Sequence, residues 1–169
     1  MHTSKTIILF FIIIIGGIGA LGFSSSLRGD EENSGHGAVI DSLEKFASYE
    51  TTDLAFEHTN LTVWIADTAL KQTNGLMHIT KLPEDYGMLF VFDDVMPRTF
   101  WNKNTLIDLD VIWISNNTIV GITALSHQTD EEITLVSSPK AVDYVLEVGA
   151  GWTARHNIQV GSTYNMMPR

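Results

Sequence analysis

The sequence predicts a mainly β domain with short helices, a small compact β-barrel or sandwich-like unit, behind one N-terminal transmembrane segment. Three observations carry that expectation. Residues 7–23, IILFFIIIIGGIGALGF, are an uncharged apolar run of about the minimum length that spans a bilayer core as a helix. Beyond them the chain breaks into short runs of β-branched and aromatic residues. Asn, Asp, Gly and Pro punctuate those runs at close intervals, as in barrels and sandwiches, and no helical periodicity lasts long enough for a bundle.

These observations divide the chain into an anchor or signal peptide over 1–23, a flexible linker with a short helix over 24–53, and a globular β-rich domain over 54–169. Lys5 and the α-amino group precede the apolar run, and Arg28 follows it but is succeeded by Asp30, Glu31 and Glu32, a bias that favours the N-terminus in the cytoplasm and the domain outside. Ala20 and Gly22 also suit signal cleavage before Phe23, so secretion after cleavage stands beside anchoring. Residues 24–37, SSSLRGDEENSGHG, read as a stalk. In DSLEKFASY, Leu43, Phe46 and Ala47 share a helical face, with Asp41 and Glu44 placed as a capping box.

Within the domain, 61–66 (LTVWIA) is a strand, and Asp67 is placed to cap the helix TALKQTN, which Gly75 ends. Strands follow over 87–92 and 109–114, with Asp93 and Asp94 turning the chain before Pro97. Asn116 and Asn117 make a tight hairpin turn, because Asn tolerates positive φ. Further strands are expected over 118–125, 132–136, 144–148 and 162–166, with a helical turn over 152–156.

Composition limits the function. The formal net charge is -10, from 20 acidic and 10 basic residues, which repels phosphate backbones and makes nucleic acid a poor partner. With no cysteine there is no disulfide, thiol catalysis or cysteine-zinc site. The six histidines have no metal-ligand spacing, and no cofactor fingerprint or nucleophile motif occurs.

Three ordered blocks carry a resemblance. They are Gly75-Leu76-Met77 with Leu82-Pro83-Glu84-Asp85 and Gly87-Met88-Leu89-Phe90; Phe100-Trp101, Lys103-Asn104-Thr105 and Leu109-Asp110; and Leu146-Glu147-Val148, Ala150-Gly151 and Gly161. On these the chain from about Val63 to Tyr164 resembles the bacterial and archaeal family known as domain of unknown function 192, or uncharacterised protein family 0127. The resemblance implies a compact, mainly β domain, often exported or membrane-tethered, with no established activity. The chain departs from the family pattern at Asn102, where Met is usual, and at Asp108, where Pro is usual. It departs again at Ile79, where Arg is usual, and at Asn157 and Ser162, where Gly and Asp are usual.

The ligand-binding candidates are Trp101, Lys103, Asn104, Thr105, Asp108, Asp110 and Glu147. Trp101 offers a stacking surface, Lys103 a cation, and Asn104 and Thr105 hydrogen-bonding groups, a set suited to a sugar ring or small polar ligand. The same residues also suit a corner closed by side-chain to backbone bonds. Asp108 and Asp110, two apart, would face the same way on a strand and repel without a cation or proton between them. Glu147 sits in an apolar strand and needs a partner, with Lys103 and Arg155 the natural ones. Two function classes follow. One is an extracytoplasmic binding or accessory module for a cell-envelope glycan, small polar ligand or protein partner. The other is an envelope-directed hydrolase or lyase using Asp110 and Glu147 as acid and base. A purely structural domain is the third reading.

Overall fold

The computed structural model describes residues 43–167. The apolar run 7–23, the stalk and the Asp41 cap lie outside those residues. Among the described residues no helix is long and apolar enough to cross a membrane.

Among the described residues, helical residues 43–45 precede nine strands and two further short helices. In chain order they are β1 (Thr51–Ala55), β2 (Asn60–Ala66), α1 (Ala69–Asn74), β3 (Tyr86–Met96), β4 (Thr99–Trp101), β5 (Leu109–Ser115), β6 (Thr118–Leu125), β7 (Leu135–Ser137), β8 (Val142–Gly149), α2 (Trp152–Arg155) and β9 (Asn165–Met167). Seven strands form one sheet in the order β6-β5-β8-β3-β2-β1-β9, and β4 pairs β7 in a separate two-stranded ribbon. Every pairing is antiparallel except β2 with β3. That parallel step requires a crossover, and α1 with the loop after it supplies one.

The sheet is open, which corrects the expectation of a closed barrel or a sandwich. Its edge strands β6 and β9 meet only at the corner where the bridge Thr118↔Thr163 forms. There the Ile119 N–H donates to the Ser162 carbonyl and the Gly161 N–H to the Ile119 carbonyl. β9 is only three residues long and pairs with β1, and among the described residues no ladder joins it to β6.

Both faces of the sheet are buried, each by its own apolar cluster. Alternation along β5 shows how: Leu109, Val111 and Trp113 enter one cluster, Ile112 and Ile114 the other. The first cluster is roofed by Phe46, Leu76 and Ile79, with Phe100 and Val136 of the β4–β7 ribbon packed against it. The second is closed by Phe56, Trp152 and Tyr164. Ile79 is part of the first core cluster.

Several elements differ from the sequence expectation. β1 begins at Thr51, ahead of the expected start near Leu54, and pairs along its length with β2. Of the face expected over 43–47 only Phe46 is buried, stacked on Trp64 at 4.6 Å. Thr68 caps α1 by accepting from the Lys71 N–H, while Asp67 pairs with the Lys71 ammonium at 2.7 Å. Asp93 and Asp94 continue β3 as exposed strand residues instead of turning. β7 falls at 135–137, later than expected, because Leu135 and Ser137 pair with Trp101 and Thr99 of β4. The Asn116-Asn117 turn is as expected, with φ of 53° and 61°. Asn157 takes the left-handed conformation a glycine would take, and Ser162 uses its hydroxyl to accept from the Gln159 N–H.

Candidate functional site

Glu147 and Asp110 lie on neighbouring strands, yet on opposite faces. β5 and β8 pair Val111 with Glu147 and Asp110 with Val148. Residues directly opposite in an antiparallel ladder share a face, so the two carboxylates are separated by the sheet. The acid/base pair expected of them is therefore not assembled.

Asp110 is 7% exposed and fully engaged. Its Oδ1 accepts from the Gly151 N–H at 3.1 Å, and its Oδ2 accepts from the Thr153 N–H at 3.1 Å and the Thr153 hydroxyl at 2.6 Å. The reason is local. α2 starts at Gly151, which has φ of 77° and no side chain to cap the free N–H groups. A carboxylate from β5 supplies that cap, favoured by the charge at a helix start. Asp108 is equally spoken for but exposed: its Oδ1 accepts from the His127 N–H at 2.7 Å and lies 2.7 Å from His127 Nδ1. Those bonds, the backbone one first, hold its carboxyl below the usual range. The two aspartates thus do not form a common cation site, and among the described residues no group of three His, Asp or Glu is placed to hold a metal.

Glu147 is different. It is 4% exposed, and no donor among the described residues hydrogen-bonds to it. Burial alone pushes its pKa up from 4.5 to about 8. Arg155, one expected partner, instead holds Glu84 through Nε–Oε1 and Nη2–Oε2 contacts of 2.8 and 3.0 Å. Lys103, the other, forms no ion pair among the described residues, and its Nζ lies 5.3 Å from the centre of the Trp101 ring.

The Glu147 side chain lines an open cavity of about 610 Å³ between α1, β3 and the β4–β7 ribbon. Phe90, Phe92, Phe100 and Trp101 supply aromatic wall, with Phe90 edge-on to Phe100 at 4.8 Å. Trp101, 41% exposed, stands at the surface. Gly75 brings the end of α1 over the carboxyl. A Cβ there would lie 3.4 Å from the Phe90 ring and 3.8 Å from Glu147 Oε2, and its φ of 43° also favours glycine.

The expected site residues therefore divide. Trp101, Lys103, Thr105 and Glu147 come together around the cavity, whereas Asn104, Asp108 and Asp110 do not line it. Asn104 is a corner residue with φ of 53°. Its N–H donates to Gln128 Oε1 at 2.6 Å and its carbonyl accepts from the His78 N–H at 2.8 Å, which ties the loop after α1 to the ribbon. Asn102 is buried, its amide donating to the Ser126 carbonyl and accepting from the Thr134 N–H. The WNKNT stretch is thus a corner and a cavity wall at once.

Sequence reasoning missed Arg98 and the α1 residues Gln72, Thr73 and Asn74, which also line the cavity. Arg98 lies 3.9 Å above the Phe92 ring and pairs with Asp94 through Nη2, while its buried Nε has no hydrogen-bond partner. One signal was present: Arg98 and Lys103 stand close together in a chain with only 10 basic residues.

The comparisons agree with this architecture. A protein from Sinorhizobium meliloti 1021, described as a proposed transcription regulator, is similar at 30% identity with a TM-score of 0.64, over 70% of this chain and 95% of its own. A protein of unknown function from Novosphingobium aromaticivorans DSM 12444 is similar at 25% identity with a TM-score of 0.59, over 69% of this chain and 84% of its own. No curated protein matches. The DUF192 family, described as "Uncharacterized ACR, COG1430", matches residues 51–166, from the first residue of β1 into β9. The blocks around Phe100-Trp101, Leu109-Asp110 and Leu146-Glu147-Val148 all lie within the matched residues, and the chain belongs to the DUF192 family.

Proposed function

We propose that this chain is a binding module working outside the cytoplasm, tethered or exported through residues 7–23, whose cavity takes a small polar ligand. The observation that carries this reading is Glu147: a buried carboxyl with no protein donor, opening onto a cavity with aromatic walls. Burying a carboxyl among apolar residues without a protein donor disfavours its charged form, and a cavity that opens onto it gives a ligand a group to pair with. Pockets that bind small molecules combine apolar walls with a few polar groups that fix orientation, and Glu147, Lys103 and Arg98 fill that part here.

Gene regulation, suggested by the description of the Sinorhizobium meliloti protein, finds no support in the charge of this chain, with 20 acidic residues against 10 basic ones.

The test is a titration of the full-length protein in mild detergent with monosaccharides, free amino acids and short envelope peptides, followed by NMR of the Trp101 indole and the carboxyl carbon of Glu147. Binding of at least one probe should shift both signals together. Shifts confined to the Asp108–His127 region or to the end of α2 would move the site elsewhere.

A further inference from the structure

The cavity holds two unsatisfied groups of opposite kind. Glu147 receives no hydrogen bond from the described residues and opens onto the cavity, and Arg98, also on the lining, has a buried Nε donor without an acceptor. Lys103, on the same lining, adds a cation with no ion pair among the described residues. The other charged chemistry nearby is already used: Asp94 pairs with Arg98, and Lys71 pairs with Asp67. Facing Glu147, α1 presents only the neutral Gln72, Thr73 and Asn74, and β3 presents Phe90 and Phe92. Among the described residues, Arg98 and Lys103 are therefore the only other charged groups lining the cavity.

A ligand that matches both the hydrogen bonding and the charge of these groups is their converse, with a cationic donor for ionised Glu147 and an anionic acceptor for Arg98 and Lys103. Between them it meets aromatic surface, which favours an apolar side chain and also stabilises an ammonium group. A neutral sugar could accept from Arg98 but brings no charge to match either end. An anion alone would bring no donor to Glu147.

We propose that the ligand is a small zwitterion of the amino acid type, its ammonium held by Glu147, its carboxylate by Lys103 and Arg98, and its side chain against Phe90, Phe92 and Trp101. This deepens, and rests on, the reading of the cavity as a small-ligand site. The ammonium pairs with the ionised form of Glu147, so binding displaces the Glu147 proton to solvent wherever the empty cavity holds that carboxyl protonated.

The experiment is calorimetry on the full-length protein with four probes of matched size: phenylalanine, phenethylamine, 3-phenylpropionate and methyl β-glucoside. The NMR signal of the Trp101 indole reports whether each binds in the cavity. Phenylalanine should bind tightest. Its affinity should rise about twentyfold between about pH 6.5 and about pH 8.5, as Glu147 gives up its proton, with proton release measurable from the buffer dependence of the heat. Glu147→Gln should weaken phenylalanine and phenethylamine at least tenfold and abolish the pH dependence, leaving 3-phenylpropionate unchanged. Lys103→Met should weaken phenylalanine and 3-phenylpropionate but not phenethylamine. Glutamine replaces the neutral acid without a change of shape, and Lys103 is exposed, so both variants should melt cooperatively.

If methyl β-glucoside binds as well as phenylalanine, or affinity falls as pH rises, the zwitterion assignment is overturned while the small-ligand site stands. If none of the four shifts the Trp101 signal at about 10 mM, well above the weakest affinity of interest, both fall.

Discussion

Asp110 and Glu147 sit on adjacent strands of one sheet, both nearly free of solvent, and they behave as opposites. Asp110 faces the start of α2 and receives three hydrogen bonds. Glu147 faces a cavity and receives none from the described residues. The difference lies in what each face of the sheet brings opposite the carboxyl. On one face a helix begins with a glycine and needs an acceptor; on the other, a helix ends with a glycine that leaves room above the acid. Burial by itself does not mark a functional carboxylate. Burial without protein donors, on a cavity, is what singles out Glu147 for the site proposed above.

The largest expected effect comes from Glu147 itself. Its folded pKa of about 8 lies above the 4.5 of the unfolded chain, so between those values the folded state binds a proton that the unfolded state has lost. Stability is then full below about pH 4.5 as far as this group is concerned, declines as pH rises, and levels off above about pH 8. The slope approaches about 1.4 kcal/mol per pH unit inside that window, so the sum reaches several kcal/mol. Urea unfolding of the wild type from pH 5 upward should show the decline, and Glu147→Gln should flatten it. An equal slope in both proteins would mean that Glu147 has a partner in solution, and the contrast with Asp110 would disappear.

Next is Asp110→Ala, which strips the cap from α2 and leaves two backbone N–H groups and the Thr153 hydroxyl without their acceptor. The expected loss is about 3 kcal/mol in urea unfolding, with Asp110→Asn losing less because its amide oxygen can still accept. Ligand binding in the cavity should be unaffected where the variant is folded. A variant that kept its stability but lost binding would reverse the roles assigned to the two carboxylates.

How far these roles could be read from the sequence depends on where the partners lie along the chain. The Asn116-Asn117 turn and the alternating β5 were legible because their causes are local: positive φ at the turn and a period of two along the strand. Trp101, Lys103, Thr105 and Glu147 were legible as a group worth examining, since each offers chemistry that an ordinary core does not need. Asp110 was misjudged because its donors are backbone N–H groups 41 and 43 residues later, which no side-chain pattern announces. Arg98 and the α1 residues were missed for the same reason. The cavity arises only when the crossover between β2 and β3 folds over the ribbon. Closure of the sheet was equally unreadable, since the period of a strand fixes its faces but not its neighbours.

The smallest effect should come from Asp108, which separates charge from burial as the cause. It stands two residues from Asp110, and its carboxyl also accepts a backbone N–H, that of His127, yet its side chain is 54% exposed. Water can replace each bond it makes, so Asp108→Asn should cost a small fraction of what Asp110→Ala costs. Its pKa is depressed in the folded state, so its contribution is present above the unfolded value near 3.8 and fades as pH falls through the folded value. At neutral pH the effect should shrink further in high salt, as an exposed pairing does. An Asp108→Asn loss as large as that of Asp110→Ala would show that the Asp108–His127 contact fixes the loop from β6, and that capping at α2 is not the dominant use of acid on this edge of the domain.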